Sequence, residues 1–544
     1  MLKRIPDSRP QLKNAFIVSI ALFYLVGLFD LWAGLRTILW SAGGTYAISY
    51  WIDGSLMPWI AFVWLMGHMS ANHIIRQRLN DPSAMDITGM QMVMVMKLSA
   101  FAWNVHDGRI RKDLLTEGQK EKAIYNMPGF LDYAAYVLFF PSLFTGPAFD
   151  FNDYKGYIET TMFEVKEGDP APPKRKGRRV PRSATPATIK LVSGIGWIFL
   201  FLQLSSRFYP QYVLEDAYWQ QSFPRRVFYL YALGFTSRLK YYGVWAITEG
   251  GCIMSGVGFN GIDPKTKKAK WDRLNNVDAF HLETAQNARG YLENWNKNTN
   301  NWLRNYIYLR VTPKGKKPGF RATLATFTTS AFWHGFYPGY YLTFVLGAFV
   351  QTIAKNFRRH VRPFFLTPDG KKATQYKIYY DVASWFVTQF AFCFVTAPFV
   401  ILGFNDSIKA WARVYFYCII GTAASTAFFA SPAKLWLNKR LDKRNHPHVL
   451  KRTKSEQQMG QLGMPDTEEI DHAIDEIKAE VDQRRRRGSK VEFPSGDALR
   501  QAISDRVWLN RNEKGEIVGP GKPRVDLDSV KNAVDSTLLG KKMH

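Results

Sequence analysis

Residues 15–35 read AFIVSIALFYLVGLFDLWAGL, a run with a single charge, Asp30, close to one end. As a helix such a run is long enough to cross the hydrocarbon core of a bilayer. A secretory signal has a shorter apolar core and a small-residue cleavage site, so this stretch reads as a retained first span. Working outward, further apolar stretches occur at about 56–69, 87–104, 131–147, 187–206, 226–247, 320–335, 339–354, 377–403 and 409–431. Several are short or interrupted by Gly, Pro or charge, which membrane depth tolerates only where the segment is buried in protein or lines a cavity. The expectation is an all-α, multi-pass membrane protein with about ten or eleven membrane helices and re-entrant segments.

The averages disguise this. The 544 residues are 47% apolar and 15% aromatic with a net charge of +27, yet mean hydropathy is only −0.20. Residues 441–544 hold 20 basic and 18 acidic side chains, so nearly the whole positive excess lies in residues 1–440. A polar tail dilutes an apolar body, which sets the expected domains: a membrane-embedded part, 1–440, and a charged, largely irregular cytosolic tail, 441–544. Because the basic excess borders apolar runs, it speaks for a membrane and against nucleic acid. Three cysteines, Cys252, Cys393 and Cys418, cannot build a disulfide framework or a thiolate metal cluster. His68/His73 and His446/His448 lack the flanking ligands of a zinc site, so no metal is expected.

Two basic runs set orientation. Residues 172–182 (PPKRKGRRVPR) and the cluster from Lys434 to Lys454 belong on the cytosolic side by the positive-inside rule, with anionic-lipid binding as the alternative. The sequon Asn405-Asp406-Ser407 would then lie on the lumenal side, too near the membrane to carry a glycan. In the tail, residues 466–485 read as one short helix, acidic at its start and basic at its end. The chain terminates Lys541-Lys542-Met543-His544. This resembles the dilysine retrieval signal of endoplasmic-reticulum membrane proteins, which implies recognition by a coat protein.

Polar side chains inside apolar segments carry the chemistry, because each must find a partner or a cavity. Residues 330–341 read SAFWHGFYPGYY. His334 ends one apolar run, and Gly335, Pro338 and Gly339 let the backbone bend close to a ligand. A buried imidazole can exchange a proton near neutral pH, as a general base must; the plain alternative is a core histidine bonded to a backbone carbonyl. Ser330, one turn earlier, could meet the imidazole as a nucleophile or be a small residue at a helix contact. Residues 290–310 read GYLENWNKNTNNWLRNYIYLR. As one helix this places Trp295, Thr299, Trp302 and Tyr306 on one face and Asn294, Asn298, Asn301 and Asn305 on another. So many asparagines are costly in a helix; an amphipathic helix lying at the interface explains most of them, and Asn296 beside Trp295 least well.

Trp295-Asn296-x-x-Thr299-x-x-Trp302-Leu303, followed 38 residues on from Asn296 by Trp333-His334-Gly335-x-x-Pro338-Gly339-Tyr340, resembles the membrane-bound O-acyltransferases. The likeness is to their lysophospholipid acyltransferase branch, most of all its fungal broad-range members. Lys240-Tyr241-Tyr242-Gly243-Val244-Trp245 with Glu249-Gly250, Gly146-Pro147 through Tyr154, and residues 91–107 (QMVMVMKLSAFAWNVHD) agree with it. It covers roughly residues 15–440.

The resemblance implies helices around an internal chamber in which an acyl chain passes from coenzyme A to a hydroxyl. A His and an Asn carry the reaction, here His334 and Asn296, with lysophospholipid as acceptor. His334 would take the hydroxyl proton. Asn296 would orient the imidazole or the hydroxyl, or donate to the developing oxyanion. Acyl-CoA is then a co-substrate and no cofactor is needed. Trp295, Thr299, Trp302, Trp333 and Tyr340 would frame the site, and Tyr241 would line the tunnel or pack as core. Glu249 would hold a head group or pair with Lys240 or Arg238. Lys314, Lys316 and Lys317 would face the CoA phosphates or simply set topology. The alternatives are a diacylglycerol, sterol or peptide acceptor, and a non-enzymatic lipid transporter, although no internal repeat is evident.

Overall fold

The computed structural model describes residues 2–79, 86–164, 179–312, 319–368 and 370–445, with isolated positions beyond. Most of the basic run 172–182, Lys314, Lys316 and Lys317, the expected helix at 466–485, His446/His448 and the terminal lysines lie outside the described residues. The chain parts into two units, Met1–Leu441 and Asp442–His544.

Among the described residues the first unit is helical, and pairing of extended chain is limited to two isolated bridges. Its main helices are α1 (Pro10–Leu22), α2 (Trp32–Trp51), α3 (Met57–Leu79), α4 (Thr88–Arg109), α5 (Phe130–Val137), α6 (Phe151–Ile158), α7 (Ala184–Ser205) and α8 (Phe223–Ser255). There follow α9 (Ala288–Asn294), α10 (Lys297–Leu303), α11 (Phe320–His334), α12 (Pro338–His360), α13 (Lys377–Ile401), α14 (Phe404–Ala412) and α15 (Tyr417–Ala430). Residues 15–35 are not one span: α1 runs on through a π-helical segment to Leu28, Asp30 turns the chain at φ 50°, and α2 begins at Trp32. Asp is one of the few residues that tolerates this left-handed backbone. Likewise 131–147 is the short α5 followed by turns, and 409–431 is broken at Tyr415 and Phe416, where α14 and α15 meet at 79°.

Among the described residues three helical stretches, Pro10–Leu28, Ala184–Leu214 and Lys377–Ile401, are by themselves long and apolar enough to cross a membrane, and the bent pair α14–α15 passes as a fourth. Of the other apolar runs, some form helices that are too short, such as Phe130–Val137 and Phe320–His334, and others carry polar side chains whose partners the structure shows. α4 is enclosed along nearly its whole length. Its Lys97 Nζ donates to the Tyr136 carbonyl at 2.6 Å, its Asn104 and Ser99 bond to Tyr306 and Trp302, and its Asp107 accepts from Arg310 Nη1 at 2.8 Å. A membrane protein buries such groups against itself because lipid offers them nothing. α7 is the opposite case: Ile189, Val192, Ile195, Phe199 and Leu202 form a helical stripe 59–63% exposed, a face suited to acyl chains. It packs on α8, where Gly194 and Gly243 let the two backbones touch; a Cβ on Gly194 would lie 2.9 Å from the Gly243 carbonyl oxygen.

The corner after α11 is equally tight. Gly335 takes φ 118°, and the Gly339 N–H donates to the Leu402 carbonyl at 2.9 Å. A Cβ on Gly339 would stand 2.0 Å from the Pro398 carbonyl oxygen. Gly339→Ala must therefore push α12 off α13, and overpacking of this kind costs about 1–3 kcal/mol. The expected result is a lowered melting temperature of the detergent-solubilised protein; an unchanged one would show that the corner gives way freely.

Candidate active site

Residues 290–310 do not form one helix. α9 ends at Asn294, Asn296 adopts φ 44° and ψ 55°, and α10 starts at Lys297, passing into a π-helical turn at Arg304–Tyr308. Trp295 is thereby turned away from the face it was expected to share. Its ring packs on Tyr241 (5.6 Å between centroids), Tyr242 and Trp245 (5.0 Å) of α8. Thr299, Trp302 and Tyr306 do share a face, but it meets protein, which overturns the interfacial-helix expectation. The Trp302 indole donates to Ser99 Oγ at 2.8 Å, and the Tyr306 hydroxyl donates to Asp150 at 2.7 Å. The asparagines serve the break: Asn294 and Asn300 donate to the carbonyls of Gly290 and Leu292, and Asn298 bonds to Asn276. Asn suits this because it accepts left-handed backbone and bonds locally to main-chain groups.

His334, the last residue of α11, is ringed by Trp333 (4.7 Å), Phe399 (4.9 Å), Phe344 (5.2 Å) and Tyr340 (5.5 Å). It nevertheless stays partly exposed, and its ring makes no hydrogen bond to the described residues. The carbonyl-bonded histidine is a different one. His73 of α3 shares a hydrogen bond with the Trp333 carbonyl at 3.2 Å and lies against Gly335. Sequence reasoning weighed His73 only as a metal ligand beside His68, because its contact with Trp333 is made across 260 positions of chain.

Trp333 and Trp302 meet with their ring centroids 6.0 Å apart and their planes tilted by 42°, and both indoles donate to α4, to the Met92 carbonyl and to Ser99. The helix bearing Asn296 and the helix bearing His334 are thus fastened to the same central helix. Asn296 and His334 do not bond to each other, and the Asn296 carboxamide makes no hydrogen bond to the described residues. Ser330 is buried and forms no hydrogen bond to the imidazole.

Comparison with known proteins settles the family. Residues 81–396 match the model of the membrane-bound O-acyltransferase family. The chain belongs to that family. It is 44% identical over 443 residues to the lysophospholipid acyltransferase of Saccharomyces cerevisiae, covering 79% of this chain and 72% of that one. To the lysophospholipid acyltransferase of Schizosaccharomyces pombe it is 40% identical over 478 residues, 87% and 92% of the two chains. Human membrane-bound glycerophospholipid O-acyltransferase 1 is 36% identical over 380 residues, 68% and 74%. The family match includes both Asn296 and His334.

Among the described residues of the membrane-bound O-acyltransferase two polar cavities stand out. One, of about 240 Å³, lies between α7, α8 and the residues after 274, and is lined among others by Lys190, Trp197, Tyr242, Glu249, Asn275 and Asp278. Glu249 pairs here with Lys190 at 3.0 Å and accepts from Asn275, and not with Lys240 or Arg238 as expected. Arg238 instead forks onto Glu283, and the Lys240 ammonium lies over the Tyr241 ring. The second cavity, about 130 Å³, is bounded by Lys97, Asp150, Asp153, Arg273, Asn301 and Trp302 among others. Burial and the neighbouring Asp150 carboxylate push the Asp153 carboxyl upward, and the Arg273 guanidinium, 2.7 Å away, draws it back. Of the residues expected to contact substrate, Trp302 reaches this second cavity and Glu249 the first; Asn296 and His334 line neither.

Proposed function

We propose that this acyltransferase moves an acyl chain from acyl-CoA to the free hydroxyl of a lysophospholipid, with His334 as general base. The observation that carries the reading is the imidazole itself: an aromatic-walled, partly exposed ring with no hydrogen-bond partner among the described residues, next to a second histidine that already fills the structural role. His334 takes the acceptor proton as the hydroxyl oxygen bonds to the thioester carbonyl carbon. The tetrahedral intermediate then collapses, the carbon–sulfur bond breaks, and the CoA thiolate leaves and is protonated. Asn296 orients the imidazole or the hydroxyl, or donates to the oxyanion. Trp295, Thr299, Trp302, Trp333, Tyr340 and Tyr241 form the walls, and Lys314, Lys316 and Lys317 attract the CoA phosphates. The thioester is already activated, so neither a covalent acyl-enzyme nor a cofactor is required.

We place the enzyme in the endoplasmic-reticulum membrane, with residues 1–440 embedded and 441–544 as a cytosolic tail whose Lys541-Lys542 meets a coat protein. The basic runs, read by the positive-inside rule, support the cytosolic side of this placement.

The test is purified protein with labelled acyl-CoA and a panel of lysophospholipids, diacylglycerol and sterol. Thiol release is expected with lysophospholipids alone. Release with sterol or diacylglycerol instead would move the acceptor class, and release with none would favour a transporter. Ser330→Ala is expected to keep its turnover, since Ser330 does not bond to the imidazole; a dead, folded Ser330→Ala would revive the covalent route.

A further inference from the structure

The first amide groups of a helix need acceptors, and an Asn at the N-cap ordinarily supplies one by turning its own side chain back onto them. Asn296 is the N-cap of α10, and its side chain makes no such bond. The acceptors come from Asn276, which is 4% exposed in the loop before α9. Its backbone carbonyl accepts from the Lys297 N–H at 2.8 Å, and its side-chain Oδ1 accepts from the Asn298 N–H at 3.1 Å and from Asn298 Nδ2 at 3.0 Å. Two residues on, the Asp278 N–H donates to the Asn294 carbonyl at 3.1 Å. The loop therefore grips the chain on both sides of Trp295 and Asn296. It is itself held: Asn275 donates to the Glu249 carboxylate at 3.2 Å and accepts from Lys297 Nζ at 2.8 Å, and Lys190 fixes Glu249.

We propose that Asn276 is a positioning residue for the acyl transfer: a cap supplied from another segment, which relieves Asn296 of capping α10 and leaves its carboxamide for the reacting groups. This rests on the reading of Asn296 as a participant in the reaction. Without Asn276 the Asn298 amide lacks its acceptor, and the Asn296 side chain, at the N-cap position, is drawn to supply one and away from the chemistry.

The experiment uses full-length purified enzyme, lysophospholipid and acyl-CoA, with kcat and KM measured separately for Asn276→Ala, Asn276→Gln and Asn276→Asp. Melting temperature and gel-filtration profile serve as fold controls. Asn276→Ala is expected to lower kcat by about tenfold, the usual scale of one lost cap, with KM little changed. Asn276→Asp keeps the acceptor oxygen and is expected to restore kcat. Asn276→Gln displaces that oxygen by one methylene and is expected to fall with alanine, which keeps the question open to test if the alanine variant does not fold. In an Asn296→Gly background Asn276→Ala is expected to cause no further loss, because the group it positions is gone. Wild-type kcat in folded Asn276→Ala or Asn276→Gln, or losses that multiply in the double variant, would overturn the proposal. An active Asn296→Gly enzyme would instead overturn the role of Asn296, so the two failures are distinguishable.

Discussion

His334→Ala is expected to abolish measurable turnover, a loss of at least about 10²–10⁴-fold, the ordinary contribution of a general base. The acceptor is an alcohol, a poor nucleophile unless its proton is taken as it attacks. The ring makes no hydrogen bond to the described residues, so its removal strands none of their buried donors or acceptors and costs packing against Trp333, Phe344, Phe399 and Tyr340. Expression, elution volume and melting temperature are therefore expected to stay close to wild type while product formation falls. A folded His334→Ala enzyme with substantial activity would end the assignment. His73→Ala makes the informative contrast: it removes the ring that meets the Trp333 carbonyl, and is expected to act on stability first.

Asn296→Gly is expected to lower kcat by about 10²–10³-fold, the scale found when one oxyanion donor is removed. Glycine is chosen because Asn296 sits at φ 44°, where glycine carries no steric penalty, so the break between α9 and α10 is preserved while the carboxamide is lost. Asn296→Asp then separates the two roles. If the amide N–H₂ donates to the oxyanion, a carboxylate in its place is as poor as glycine. If the carbonyl oxygen holds the imidazole or the hydroxyl, the carboxylate retains part of the rate. Wild-type kcat in Asn296→Gly would show Asn296 to be a backbone device only.

The family was legible in the sequence because the neighbours of His334 and Asn296 are so particular: Trp-His-Gly before Pro-Gly, and Trp-Asn before Thr and Trp. The helical, membrane-bound character was legible from the apolar runs and the basic clusters. What periodicity could not show was where the backbone leaves the helix. Residues 290–310 keep a plausible helical pattern across Asn296, and residues 15–35 stay apolar across Asp30, yet both chains turn there through left-handed conformations that residue type alone does not announce. The partners of buried polar groups were hidden for another reason. Lys190 and Glu249, or His73 and Trp333, meet through folding over long chain separations, so Glu249 was matched to nearby cations on its own helix.

The enclosed helix α4 has a consequence for how the protein is made. Lys97, near the middle of α4, is unwelcome in lipid at about 2.5–3.5 kcal/mol on insertion scales, and Asp107, in its last turn, is a second charge to be sheltered. Lys97 finds its carbonyl 39 positions later, but Arg310 emerges from the ribosome 203 positions after Asp107. During synthesis α4 is thus a poor passenger for lateral release into the bilayer. It must be sheltered by the translocation machinery, or wait at its edge, until α10 and the turn after it arrive. The helix on which both Trp302 and Trp333 are fastened therefore cannot finish its own pairing until the residues that carry the site have themselves been made.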